Sequence, residues 1–373
     1  MTFRFLHSSD LHLGKPFGGF PEGPRGRLRE ARYQVIGRLT QVARDHGAGV
    51  VLLAGDTFDA ETPAPDTLRQ ALRAMADSGL HWILLPGNHD SLAATQLWRQ
   101  IVAAGLANIH PVLTEAAFEI APGVQLLPSP CTARKPGRDL TEAMTQPTPS
   151  GALRIGLGHG AITDFSGEEG GAGIIPPDRA QRSGLDYLAL GDWHGQLSVG
   201  PRTMYAGTPE PDGFKHAGRA ASALVVTVAA GAVPVIAPVP TEGLHWRAVG
   251  VNLLPGLDAV AELRAHLPTE GVLRNTFLAV AATGRVTQPD RLALDAALAA
   301  IAPDYGWFQA DCSGLAVDTR PDDLDLIDHA GALRRAAEAL LAEADDPALA
   351  AQDRAAAAAA LSRLFQFAAE DAA

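Results

Sequence analysis

Short apolar runs alternate with helix-patterned stretches through the first 240 residues, and this alternation restricts the fold more than any other feature. Residues 49–54 (GVVLLA), 82–85 (WILL), 153–157 (LRIGL) and 185–190 (LDYLAL) each read as a strand that is apolar on both faces and closed by Gly or Pro. Strands buried on both faces need helices to cover them. Residues 25–46, 65–78 and 91–104 supply helical patterns with apolar residues three and four apart, and Pro65 suits a helix start. The pattern predicts an α/β layered fold. Residues 203–240 change to strands joined by tight turns.

The pattern restarts after the Pro-rich stretch at 234–240, with strands expected at 246–253, 276–283 and 307–317 and helices at 257–267 and 289–301. From residue 321 the chain is acidic, Ala-rich and broken by Pro347, a composition of high helix propensity. Leu340, Leu341, Leu361, Leu364 and Phe365 are placed there to pack on the body or on a partner. Three domains are therefore expected: an α/β domain at 1–242, a small α+β domain at 243–320 and a helical segment at 321–373.

The net charge of −12 argues against a broadly basic nucleic-acid-binding surface. From Pro321 onward there are 11 acidic and 4 basic side chains, so most of the excess lies in the tail and a locally basic groove stays open. Arg25, Arg27, Arg29 and Arg32 suit either phosphate contact or a solvated helix face. Cys131 and Cys312 are far apart and outside any C-x-x-C pair, which predicts two free buried thiols. There is no basic stretch followed by a long apolar run at the start, and no run of 18 apolar residues. Neither a signal peptide nor a membrane span is expected, and the cytoplasm is the expected location.

The ends of the expected strands carry the chemistry. The first runs into Ser9-Asp10-Leu11-His12, the second into Gly55-Asp56-Thr57-Phe58-Asp59 and the third into Gly87-Asn88-His89-Asp90. A later strand ends at Gly158-His159-Gly160 and the last at Gly191-Asp192-Trp193-His194. In open α/β sheets the carboxyl edge is where ligands bind. Any one of these is more often an ordinary turn, but five in one order, each after a strand, are a specific signal. Two divalent ions about 3.5–4 Å apart clamp a phosphate diester and generate a hydroxide nucleophile. Imidazoles mixed with carboxylates suit Mn, Fe or Zn. Glycines let the backbone turn sharply beside the ions, and a histidine outside the ligand set can protonate the leaving oxygen. His7 precedes the first motif and reads as a supporting group. His46, His81, His110, His216, His245, His266 and His329 lack ligand-like neighbours and read as surface or packed histidines. Trp193 either walls the site or fills the core, and Gly167–Gly173 reads as a solvated loop or a gate.

The order D-x-H, G-D-x-x-D, G-N-H-D, G-H and G-x-x-H resembles the calcineurin-like metallophosphoesterases. Within them, the opening FLHSSDLHLGKPF and the later YLALGDWHG and YAGTPEP resemble the SbcD-type DNA repair exonuclease subunits. The resemblance covers residues 1 to about 215, and beyond that only the layout matches. It implies an α/β/β/α sandwich with a small α+β capping domain and a helical C-terminal tail, the part that in the family binds an SbcC-like coiled-coil ATPase. It also implies two divalent ions, Mn²⁺ ahead of Fe, Zn or Mg, with DNA as substrate and a homodimer. By motif, Asp10, His12 and His194 would hold the first ion with Asp56, which would bridge. Asn88, His159 and Asp192 would hold the second. His89 would be the general acid, and Asp59 and Asp90 would orient ligands. The residues that bind nucleic acid are not implied. The family's last motif is usually G-H-x-H, so Asp192 stands where an imidazole is expected; its charge favours a harder ion. Three functions stay open: a metal-dependent nuclease, a phosphoesterase for small or protein-bound phosphates, which the acidic balance favours, and a scaffold that binds a partner ATPase.

Overall fold

The computed structural model describes residues 1–163, 174–218, 221–268 and 272–371, so Gly167–Gly173 lies outside the described residues. The chain divides into two compact units, Met1–His245 and Trp246–Ala373. In the first, β1 (Thr2–Ser8) is followed by α1 (Glu22–Asp45), β2 (Val50–Leu53), α2 (Pro65–Asp77), β3 (His81–Leu84), α3 (Thr95–Ala103) and β4 (Ile109–Pro111). Then come β5 (Phe118–Ala121), β6 (Val124–Ser129), β7 (Leu153–His159), α4 (Arg179–Arg182) and β8 (Tyr187–Gly191). The unit is completed by β9 (Leu197–Gly200), β10 (Thr203–Tyr205), β11 (Ser222–Ala229) and β12 (Val235–Pro240).

These strands form two six-stranded sheets, ordered β12-β11-β1-β2-β3-β4 and β5-β6-β7-β8-β10-β9. Period-2 alternation sends successive side chains to opposite faces. Phe5, Leu52 and Ile83 of one sheet therefore meet Leu126, Ile155, Leu157 and Tyr187 of the other in a shared inner core. Leu6, Val51, Leu53 and Trp82 point the other way, onto Val35, Ile36 and Leu39 of α1, Leu68 and Leu72 of α2, and Trp98 of α3. The outer face of the second sheet packs Leu188 and Leu190 against Met144, Ile175 and Leu185. The result is a layered α/β sandwich.

Topology sets up the site. Strands β1 to β4 run parallel, with Ser8 level with Leu53 and Leu53 level with Leu84. In the second sheet β6, β7 and β8 are parallel, with His159 level with Gly191. The loops carrying the motifs therefore leave their sheets at carboxyl ends.

One local reading is corrected, and one strand is not anticipated. The helix expected over 91–104 begins only at Thr95, because Leu92 N–H donates to the Cys131 carbonyl (2.8 Å) and Ala94 N–H to Ser91 (2.9 Å), so 91–94 continues the loop. Strand β6 goes unread because Pro128 argues against a central strand. Pairing with β5 ends at Leu126, so Pro128 lies beyond that ladder. Cys131 is buried and Cys312 half-buried, and both are free.

The second unit contains β13 (His245–Leu253), α5 (Ala259–His266), β14 (Thr276–Thr287), α6 (Gln288–Ile301), β15 (Trp307–Asp318), α7 (Ala332–Asp345) and α8 (Ala351–Asp371). Asp258 caps α5 by accepting from Val260 and Ala261 N–H, each at 3.0 Å. Parallel β14 and β15 are joined through α6, as a parallel crossover requires. Val251, Leu278, Val280 and Leu294 form its core, while Leu324, Ala337, Leu361 and Phe365 form a smaller cluster with α7 and α8. Among the described residues no helix is long and apolar enough to cross a membrane.

Leu52 is fully buried between the sheets, whereas Val235 on the edge strand is 68% exposed. Leu52→Ala is expected to cost about 2–5 kcal/mol in urea unfolding, and Val235→Thr less than about 0.5 kcal/mol. Equal midpoints for the two variants would contradict the inner core.

Candidate metal centre

Backbone bonds lace the first loop to the second and the fourth to the fifth before any side chain is considered. Asp10 N–H donates to the Gly55 carbonyl (3.1 Å), His12 N–H to Asp56 (3.0 Å), and Gly160 N–H to Gly191 (3.1 Å). This lacing holds unusual backbone. Asp10, His12, Asp56 and Asp192 all have positive φ, at 54°, 45°, 53° and 101°. Such conformations cost on the order of 1–3 kcal/mol each and cluster at functional sites. Two glycines give the side chains room. A Cβ on Gly55, itself at φ 91°, would overlap His159 Nδ1, and one on Gly87 would overlap the Asp56 carboxylate.

Asp56 lies at the middle of the constellation. Its Oδ2 is 3.8 Å from His12 Nε2 and 3.6 Å from His159 Nε2, and its Oδ1 accepts the His89 N–H at 2.9 Å. His12 Nε2 faces His194 Nε2 at 3.1 Å. On the other side, His159 Nε2 is 3.6 Å from Asp192 Oδ1, which also accepts from the Asn88 amide at 2.9 Å. Potential ligand atoms within 4.8 Å of one another form three groups: Asp10, His12 and His194; His12, Asp56 and His89; and Asp10, Asp56 and His159. His159 Nδ1 is 2.8 Å from the Ala54 carbonyl, so Nδ1 carries the proton and Nε2 presents its lone pair when the ring is neutral. That Nε2 and Asn88 Oδ1 are buried without a hydrogen-bond partner among the described residues. Unsatisfied buried acceptors in an imidazole, carboxylate and amide set fit divalent cations of the Mn, Fe or Zn type.

The electrostatics of the bare site reflect how closely the acids are packed. Burial, with Asp56 and Asp192 nearby, pushes Asp10 up to about 7. Burial also raises Asp192. Burial opposes a charged His159, but the surrounding carboxylates, Asp56 foremost, outweigh it and hold the ring at about 9. Burial, with His12 beside it, lowers His194 to about 3, and burial lowers His12 as well. A bound cation reverses the direction for the acids.

Around this set, Asp90 is fully buried and accepts from Gly87 N–H (2.7 Å) and Phe58 N–H (3.0 Å), which ties the second and third loops together. Asp59 Oδ1 lies 3.2 Å from His12 Nδ1, and the Asp59 carbonyl lies 2.8 Å from His89 Nδ1. His7 is buried behind the site, with Nδ1 2.9 Å from the Tyr187 hydroxyl. Trp193 is 42% exposed and so does not fill the core. Arg32 is 1% exposed, unlike a solvated helix face. Sequence reasoning missed this last role, although the signal was present: Arg32 falls on the stripe of Leu28, Val35, Ile36 and Leu39 in α1. Ser9, whose hydroxyl donates to Asp10 at 2.5 Å, also went unread.

Gly55→Ala is expected to hold less than half of the wild-type Mn²⁺ per chain, measured by elemental analysis after loading and desalting, because both φ and His159 resist a Cβ. Gly47→Ala is the control: it shares a positive φ of 66° but meets open space, so it costs about 1 kcal/mol of stability and no metal. Full metal retention in Gly55→Ala would contradict the crowding described.

The chain is similar to several proteins of known sequence. It is 26% identical over 228 residues to the uncharacterized metallophosphoesterase YhaO of Bacillus subtilis, covering 57% of this chain and 55% of that protein. It is 34% identical over 104 residues to the SbcD component of nuclease SbcCD from Escherichia coli, covering 27% of this chain and 24% of that one. Over 268 residues it is 28% identical to the SbcD component of nuclease SbcCD from Bacillus subtilis, covering 61% and 67%. The first two matches thus span about half and about a quarter of the relatives' lengths. The calcineurin-like phosphoesterase profile matches residues 3–196, more than half of the chain and all five loops. With that match and the convergence of those loops on one buried site, the chain belongs to the calcineurin-like phosphoesterases.

Proposed function

We propose that this protein hydrolyses phosphodiesters of DNA with two divalent cations, as an exonuclease-like subunit of a cytoplasmic DNA repair complex. The observation that carries the hydrolytic reading is the convergence of Asp10, His12 and His159 on Asp56, with His194 against His12 and Asp192 against His159. Two cations, Mn²⁺ ahead of Fe or Zn by the family resemblance, would supply charge stabilisation at the phosphate and acidify the attacking water. Asp10, His12 and His194 would hold one with Asp56, which bridges, and Asn88, His159 and Asp192 would hold the other. Asp59 and Asp90 orient this set through His12, His89 and the loop amides. His89 is the general acid. Its Nδ1 engages the Asp59 carbonyl, which leaves Nε2 to deliver a proton to the leaving oxygen.

DNA as substrate is supported by the two relatives named as components of nuclease SbcCD. The same name motivates an SbcC-like ATPase partner, and Leu326, Leu333 and Phe367, each about half exposed in the C-terminal region, offer it apolar surface. A homodimer is part of the same reading. A second reading, hydrolysis of small or protein-bound phosphates, is favoured by the net charge of −12. Fewer than one ion per chain after Mn²⁺ loading would favour the scaffold reading over both.

End-labelled linear DNA with Mn²⁺ is expected to be cut by the wild type, with EDTA abolishing cleavage. His89→Gln is expected to lose about 10²–10⁴-fold while keeping its metal. Turnover of a small phosphodiester without DNA cleavage would select the second reading, and full activity of His89→Gln would remove the acid assignment.

Metal binding should also be linked to protons. Cations bind the deprotonated forms of His159, which titrates near 9, and Asp10, near 7. Apparent Mn²⁺ affinity is therefore expected to rise with pH from 6 to 9 and to level off above. Calorimetry at pH 7 in two buffers of different ionisation enthalpy should show net proton release on Mn²⁺ binding. Zero release would mean that His159 is not a ligand.

A further inference from the structure

The segment after the last ligand loop, Gly207 to Asp212, has no part in the roles above, yet Thr208, Glu210 and Asp212 are all buried. Glu210 forms an ion pair with Arg38 of α1 and accepts from Gly243 N–H (2.7 Å) and Leu244 N–H (3.0 Å). The Thr241 hydroxyl donates to the Pro209 carbonyl at 2.7 Å. The segment is thus a strap pinned along its length. From it, Thr208 N–H donates to the His194 carbonyl at 2.9 Å.

Arg32 connects this strap to the first loop. Its Nη1 donates to the Leu11 carbonyl (2.9 Å) and to the Thr208 hydroxyl (3.2 Å), and its Nη2 lies 3.2 Å from Asp212 Oδ2. Asp212 also pairs with Lys15. One guanidinium therefore spans the backbone between Asp10 and His12, both at positive φ, and the strap that holds His194. A buried ion pair is weak as a stabiliser, and an apolar residue at position 32 would continue the stripe of α1 without desolvating a charge. The cost makes sense if the geometry is what Arg32 supplies.

We infer that Arg32 and the Thr208–Asp212 strap are positioning residues for the His12–His194 half of the metal centre and set the separation of the first and last ligand loops. The inference rests on the two-cation reading. Loss of the clamp loosens the ion held by His12 and His194 and leaves the Asn88–His159–Asp192 half nearly intact.

The test is titration of Mn²⁺ into the full chain, followed by calorimetry and by the spin-resonance signal of paired ions. The wild type is expected to bind two ions. In Arg32→Met and Thr208→Val, one dissociation constant is expected to rise about ten- to a hundred-fold while the other stays, with Arg32→Lys in between. Thr40→Val, a buried change elsewhere in α1 that removes a hydroxyl bond to Ile36, should leave both constants unchanged. In a His194→Ala background, Thr208→Val should change the remaining affinity by less than about two-fold, because that half is already broken. If Arg32→Met does not fold, Thr208→Val decides alone. Equal weakening of both ions, or of neither, overturns the positioning role. A wild type that binds fewer than two ions overturns the two-cation reading itself, and the inference with it.

Discussion

Like charges are packed here where water cannot screen them. Asp10 and Asp56 are essentially inaccessible, and Asp192 reaches the same His159 ring that Asp56 faces. At an effective dielectric near 20, two unit charges about 4 Å apart interact by about 4 kcal/mol. No turn sequence adopts such an arrangement spontaneously. It is imposed by two sheets whose parallel strands end level with one another, and its electrostatic mark is Asp10 pushed up to about 7 and His159 held at about 9. Divalent cations relieve the same repulsion, so what destabilises the bare fold is what gives the site affinity.

The strained backbone belongs to the same design. Four of the residues at positive φ are acids or imidazoles of the constellation. Contacts between segments fix them: Asp10 and His12 N–H donate to the Gly55 and Asp56 carbonyls and Asp192 N–H to the Asp10 carboxylate (3.2 Å), while around them Asp90 accepts from Gly87 and Phe58 and Arg32 donates to Leu11. The supporting shell fixes orientation, and it draws on residues far apart in the chain. The glycines act by omission, since a methyl group on Gly55 or Gly87 occupies space taken by His159 or Asp56.

Membership of the calcineurin-like phosphoesterases follows from residues 3–196, whereas substrate identity does not. The relatives that name a nuclease overlap this chain in part, and the second unit carries no motif of its own. Within the first unit, Asp192 stands beside the exposed Trp193. The carboxylate stays at the centre, 3.6 Å from His159, where its added charge favours harder ions.

The amino-acid pattern alone determined the α/β layering and the loops that carry chemistry. Runs such as GVVLLA and LDYLAL admit a strand apolar on both faces, and each ends on Gly followed by Asp. These are local properties, readable within a few residues. Less legible were β6, where Pro128 masks a strand, and the start of α3, set by a hydrogen bond from Leu92 to distant Cys131. The tertiary structure alone decided which groups are dry and what faces them. Arg32 looked like one of four surface arginines, yet its guanidinium is buried against Leu11, Thr208 and Asp212, residues up to 180 positions away. His159 read from the sequence as a metal ligand, and only the fold shows that three carboxylates from separate loops favour its charge. Burial and electrostatic potential are sums over neighbours in space, and no window of sequence contains those neighbours.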